Sequence, residues 1–112
     1  MSLPFAEPTV VKGPQDLVKA SDGSAVIFSC SVAADPISLR FIWKKDGVRI
    51  RHKPKYEMTG PVKEGTLLKF TLKIKATNMS DSGSYQCKAL KNGKISTSNP
   101  ATLTVVSKFF TF

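Results

Sequence analysis

The stretch "DSGSYQC", residues 81 to 87, places an acid, a glycine, an aromatic and a cysteine at successive spacings of two. In an extended strand side chains alternate between faces, so Tyr85, Cys87 and Ala89 point one way while Gln86, Lys88 and Leu90 point the other. A cysteine on the core-facing side of a strand calls for a partner, and the only other cysteine is Cys30. The two are consistent with one disulfide closing a long loop, a link worth roughly 4 kcal/mol in the chain-entropy model. The alternative is a pair of buried free thiols, the state expected of a reducing compartment. Two cysteines and the single histidine, His52, do not make a zinc site, so no metal and no cofactor is expected.

Hydrophobic alternation recurs along the chain. Val26, Phe28, Cys30 and Val32 share a face in "AVIFSCSV"; Leu39, Phe41 and Trp43 do so in "SLRFIW". Leu68, Phe70, Leu72 and Ile74 line up in "LLKFTLKI", as do Ala101, Leu103 and Val105 near the end. Asp22-Gly23, Asp46-Gly47 and Asn92-Gly93 read as hairpin-type turns, because these residues tolerate positive φ. Gly13-Pro14 interrupts the first strand, which suits an edge position. One helical turn at "TNMSDS" is the only other element expected. Short strands, regular turns and almost no helix predict an all-β chain, a two-sheet antiparallel β-sandwich. At 112 residues this is one domain, and no apolar run approaches a membrane span. The division expected is vector-derived or linker residues at 1–7, the domain at 8–106 and a tail or linker at 107–112.

Cys30, Trp43, "LKI" at 72 to 74 and "DSGSYQC" at 81 to 87 together resemble the immunoglobulin superfamily over roughly residues 8 to 106. The spacing of the cysteines is similar to that of intermediate (I-set) domains. The resemblance implies Greek-key connections and a Cys30–Cys87 bridge between the sheets, with Trp43 packed against it. It makes Leu72 a core residue and Tyr85 the tyrosine of the corner before the second cysteine. It also gives Gly83 a tight backbone and Asp81 a cation partner, Lys53 or Lys55. Thr77 departs from the pattern, where an inward aliphatic is usual, and is expected to loosen its turn. "TVVKGPQD", "DPISL" and "WKKDG" resemble contactin-like neural adhesion molecules, and "SLRFIWKKDG" with "KPK" resembles neuregulin-type growth-factor precursors. Both groups are extracellular, whereas muscle and actin-associated proteins use the same domain in the cytoplasm.

Catalysis has no foothold in the sequence. A hydrolytic base would have to be His52, which lies between Arg51 and Lys53, and these disfavour the imidazolium it must become. Charge is the informative quantity. Seventeen Lys and Arg against eight Asp and Glu give a net +9, and residues 40 to 94 hold 14 of those 17 with four of the eight acids. The densest run, "KKDGVRIRHKPK", offers Lys44, Lys45, Arg49, Arg51, Lys53 and Lys55 as a polyanion-binding candidate, opposed only by Asp46. Lys69, Lys73 and Lys75 form a second ladder. Nucleic acid is disfavoured as a partner, since neither an exposed aromatic platform nor a recognition helix is expected. Heparan sulfate or an acidic protein domain fits better. The reading is therefore an extracellular binding and spacer module of an adhesion or receptor protein; the alternatives are a heparan-sulfate-binding domain of a growth-factor precursor and a cytoplasmic filament-binding domain. Asn78-Met79-Ser80 is a candidate N-glycosylation sequon. Phe109, Phe110 and Phe112 in the tail are expected to mediate any dimer.

Overall fold

A computed structural model describes residues 7–107; the tail phenylalanines lie outside them. Ten strands follow in chain order: β1 Thr9–Lys12, β2 Leu17–Ala20, β3 Val26–Ala33, β4 Arg40–Lys45, β5 Val48–Arg49, β6 Tyr56–Glu64, β7 Leu67–Ile74, β8 Gly83–Lys91, β9 Lys94–Thr97 and β10 Ala101–Val106. A 3₁₀ turn, Met79–Asp81, sits between β7 and β8. The smaller sheet has the order β1-β3-β7-β6. The larger runs β2-β10-β8-β4-β5, with β9 also paired to β8.

The alternation in sequence is the alternation in space. Every second residue of β3 from Val26 to Val32 is buried, as is every second residue of β7 from Leu68 to Ile74. These rows face Trp43, Tyr85, Cys87, Ala89, Ala101, Leu103 and Val105 from the other sheet. The Cys30–Cys87 disulfide joins the sheets, with Cα atoms 6.6 Å apart. Trp43 stands directly opposite Cys87 across the β4–β8 ladder. Phe41 and Phe70, from opposite sheets, stack with ring centroids 3.8 Å apart, and Phe28 stacks on Tyr85. Apolar area removed from water on both inner faces is what holds such a sandwich together.

Gly13-Pro14 does more than mark an edge. The chain switches sheets there, so β1 pairs antiparallel with β3 while β2 runs parallel to β10. The turns divide similarly. Asp46-Gly47 and Asn92-Gly93 have positive φ at both residues and close the β4–β5 and β8–β9 hairpins. Asp22-Gly23 instead links β2 to β3, which lie in different sheets, so it is not a hairpin turn. Asp22 there accepts hydrogen bonds from the side chain and backbone of Ser24, which lower its pKa to about 2.

Residues at the start of β8 and just before it fasten one corner of the fold. Asp81 is buried; its carboxylate accepts from Lys55 Nζ at 2.9 Å and from the Asn78 backbone N–H at 2.8 Å. The Tyr85 hydroxyl, also buried, donates to the Asp81 carbonyl at 2.6 Å, and desolvation pushes its pKa well above the usual tyrosine value. Thr77 does not loosen the turn: it is buried with its hydroxyl donating to the Ile74 carbonyl. Gly83 has an ordinary φ, and its role is space. A Cβ there would lie 2.8 Å from the Asp46 carboxylate, which accepts from the Ser84 N–H.

Ala76, exposed between β7 and the 3₁₀ turn, has φ 47°. That left-handed conformation costs a residue bearing a Cβ about 1–2 kcal/mol, partly offset in glycine by its freer unfolded chain. Ala76→Gly is therefore expected to stabilise the fold by roughly 0.5–1 kcal/mol, read as a raised urea midpoint. A lowered midpoint contradicts the strain.

Candidate functional site

The basic run 44 to 55 does not form one surface. Lys55 is spent on the corner: besides Asp81 it donates to the carbonyls of Lys75 and Ala76. Lys45 donates to the Ser80 carbonyl at 2.7 Å. Both cations tie the β4–β6 region to the turn before β8. Arg51, His52 and Lys53 are exposed on the segment after β5. Lys44 and Arg49 remain, as direct cross-strand partners on the outward face of the larger sheet.

That face gains members which the linear run misses. Tyr85, Cys87 and Ala89 point inward from β8, so Gln86, Lys88 and Leu90 point outward. Their partners on β4 are Lys44, Ile42 and Arg40, in that order. On the far side Leu90 pairs with Ile95, and Lys88 with Thr97. The outward face thus carries an apolar centre of Ile42, Leu90 and Ile95, the last 58% exposed, among Arg40, Lys44, Arg49 and Lys88. Arg40 and Lys44 stand about 13 Å apart along β4 at roughly 3.3 Å per residue.

No acid stands among them. Glu7 pairs with Lys94, Asp35 with Lys91, Glu57 with Lys73, Asp22 with Lys19 and Asp81 with Lys55. Asp46 is turned to Ser84 and Asp16 to the Thr102 N–H, while Glu64 ends β6 in the other sheet. Among the described residues none of the four face cations makes an ion pair. A field of one sign attracts anions and acidic surfaces, and at physiological salt it cooperates only over about 8 Å, so neighbours across strands reinforce one another. On the smaller sheet Lys69 and Lys73 also face outward, but there Glu57 stands opposite Lys73. Lys75 lies beyond the end of β7.

Residues 7–90 match the family model described as immunoglobulin domain. The chain belongs to the immunoglobulin domain family. It is 32% identical over 94 residues to the membrane-bound isoform of pro-neuregulin-1 of Rattus norvegicus, a match covering 83% of this chain and 14% of that protein. The chain therefore spans only a small part of that relative. Among solved structures, the eight N-terminal immunoglobulin domains of Down syndrome cell adhesion molecule superpose with a TM-score of 0.76 at 23% identity, covering 90% of this chain and 13% of the other. The N-terminal Ig1-2 module of the Drosophila receptor protein tyrosine phosphatase DLAR gives a TM-score of 0.73 at 22% identity, covering 89% and 49%. A chimeric titin Z1Z2 tandem gives 0.72 at 24%, covering 91% and 48%. These likenesses concern the fold.

An immunoglobulin domain is a non-catalytic fold, and immunoglobulin domains generally act by protein–protein binding. His52 is exposed, and no group of three or more His, Cys, Asp or Glu is gathered among the described residues. No helix among them is long and apolar enough to cross a membrane. The disulfide and the neuregulin relative are consistent with an extracellular location. Asn78 is exposed and caps the 3₁₀ turn, its side-chain oxygen accepting from the Ser80 N–H at 2.9 Å.

Proposed function

We propose that residues 8–106 form a recognition and spacer module of a multidomain extracellular adhesion or receptor protein, and that it meets an acidic protein partner through the outward face of the larger sheet. The observation that carries this reading is the segregation of charge: among the described residues, four cations free of ion pairs surround an apolar centre on a face without an acid. Burying Ile42, Leu90 and Ile95 against a partner supplies association energy. The surrounding cations select acidic partners and speed encounter. A cytoplasmic filament-binding role has the weaker support, because the disulfide suits an oxidising compartment.

The neuregulin relative favours a second reading, in which the same cations hold heparan sulfate and concentrate a growth-factor precursor on matrix. Cell-surface binding of the soluble domain separates the two. Arg40→Glu/Lys88→Glu should abolish most binding, whereas Lys69→Glu/Lys73→Glu, an equal charge change on the other sheet, should leave most of it. Binding that survives heparinase treatment supports the protein partner; binding lost with the polysaccharide supports the second reading. Equal losses from the two double variants contradict both.

Asn78 is proposed to carry a glycan. Its exposed cap position lets the sugar project into solvent. Intact mass from a secretory host should show an N-glycan that Asn78→Asp removes. Because aspartate caps a helix as well as asparagine does, stability should hold. An unmodified chain from that host contradicts the assignment.

A further inference from the structure

Along one side of the sandwich the sheets part, between the short β5 with its following segment and the bulged part of β6. The gap is a cleft of about 260 Å³, its walls including Phe41, Phe70, Met58, Arg49, Arg51 and His52. Its floor is apolar: the stacked rings of Phe41 and Phe70 bridge the sheets, and Met58 packs against the core beside them. The pairing of β6 with β7 shifts register between Thr59 and Val62, as at a bulge. There Gly60 lies so close to β7 that a Cβ would sit 2.6 Å from the Lys69 carbonyl oxygen.

The rim has the opposite character. Arg49, Arg51 and His52 are exposed, neither arginine makes an ion pair among the described residues, and no Asp or Glu lines the cleft. Two arginines beside an aromatic and thioether floor ask for a ligand that is both anionic and ring-bearing. Guanidinium groups favour a planar or tetrahedral oxyanion held by paired hydrogen bonds. Met58 and the phenylalanines favour an aromatic ring. The volume is below the roughly 300–1,000 Å³ of pockets for drug-sized ligands, so it suits a single side chain. Aspartate and glutamate have the charge without the ring, and unmodified tyrosine has the ring without the charge.

We propose that this cleft receives a sulfated tyrosine side chain of a partner protein, with the ring against Met58, Phe41 and Phe70 and the sulfate at Arg49 and Arg51. The site is separate from the outward face apart from Arg49, and stands whether or not that face binds its own partner. The test is an NMR titration of the intact isotope-labelled domain with three probes: a short neutral peptide bearing one sulfotyrosine, the same peptide unsulfated, and inorganic sulfate. The sulfated peptide should shift the amides of Ile50, Arg51, Thr59 and Gly60, and should bind about tenfold or more tighter than either other probe. Arg51→Gln should weaken it about tenfold, while Lys69→Gln/Lys73→Gln leaves it within about twofold. Arg51 is exposed and outside the core, so the variant's spectrum should otherwise match the parent's. Equal affinity for sulfated and unsulfated peptide overturns the proposal, as does equal affinity for inorganic sulfate. Shifts confined to Arg40, Lys44 and Lys88 overturn it as well, and would point instead to the outward face.

Discussion

Replacing Cys30 and Cys87 together by alanine is expected to lower the unfolding free energy by roughly 4 kcal/mol. The bridge closes a loop spanning 57 residues, and in the chain-entropy model a loop of that size removes about that much freedom from the unfolded ensemble. Both cysteines are also buried in the core, where Cys87 stands beside Trp43 and Cys30 beside Phe70 along their ladders. With a urea slope of about 1–3 kcal/mol/M for a small domain, the midpoint should fall by about 1.3 M or more. The parent should show no titratable thiol when denatured without reductant. A shift below about 0.5 M, or two free thiols in the secreted parent, contradicts the account.

The second large effect is expected at Asp81. Asp81→Ala leaves Lys55 with only the Lys75 and Ala76 carbonyls, and the Asn78 N–H without its acceptor, at the corner that also anchors the Tyr85 hydroxyl. Breaking a fully buried pair costs about 3–5 kcal/mol; the Lys55 side chain keeps 30% of its exposure, so about 2–3 kcal/mol is expected. Lys55→Met should cost less, and the two changes should couple by about 1 kcal/mol or more in a double-mutant cycle. Simple additivity shows that the ion pair does not hold the corner. The effect should be confined to stability, with cell binding of the folded fraction unchanged.

Much of this was legible because a sandwich writes its inner faces into sequence with a period of two. Val26 to Val32, Leu68 to Ile74 and Tyr85 to Ala89 needed only alternation, and the positive-φ pairs at 46–47 and 92–93 announced their hairpins. The binding surface was less legible for a geometric reason. Proximity in sequence grouped Lys45 and Lys55 with Lys44 and Arg49, but strand parity and hydrogen bonding sent the first two to the corner. Arg40 and Lys88 belong to the face through the β4–β8 register, which no local pattern contains. The family resemblance implies only a tight backbone at Gly83. Its actual constraint is the Asp46 carboxylate, brought to it across strands. A signal did exist for Arg40 and Lys88: each lies an odd number of residues from an inward-facing aromatic or cysteine, Arg40 from Trp43 and Lys88 from Cys87.

We propose that position on the outward face, and not total charge, directs this domain to acidic partners. The most direct measurement is the salt dependence of binding to a defined heparin oligosaccharide, used as a polyanion probe, for the parent and for two variants of equal net charge. Counterion release makes the logarithm of the binding constant fall linearly with the logarithm of salt, with a slope set by the number of cations engaged. Arg40→Gln/Lys88→Gln should flatten that slope by between one and two, while Lys69→Gln/Lys73→Gln should leave it within about half a unit. Identical slopes for the two variants would show that the face has no special role.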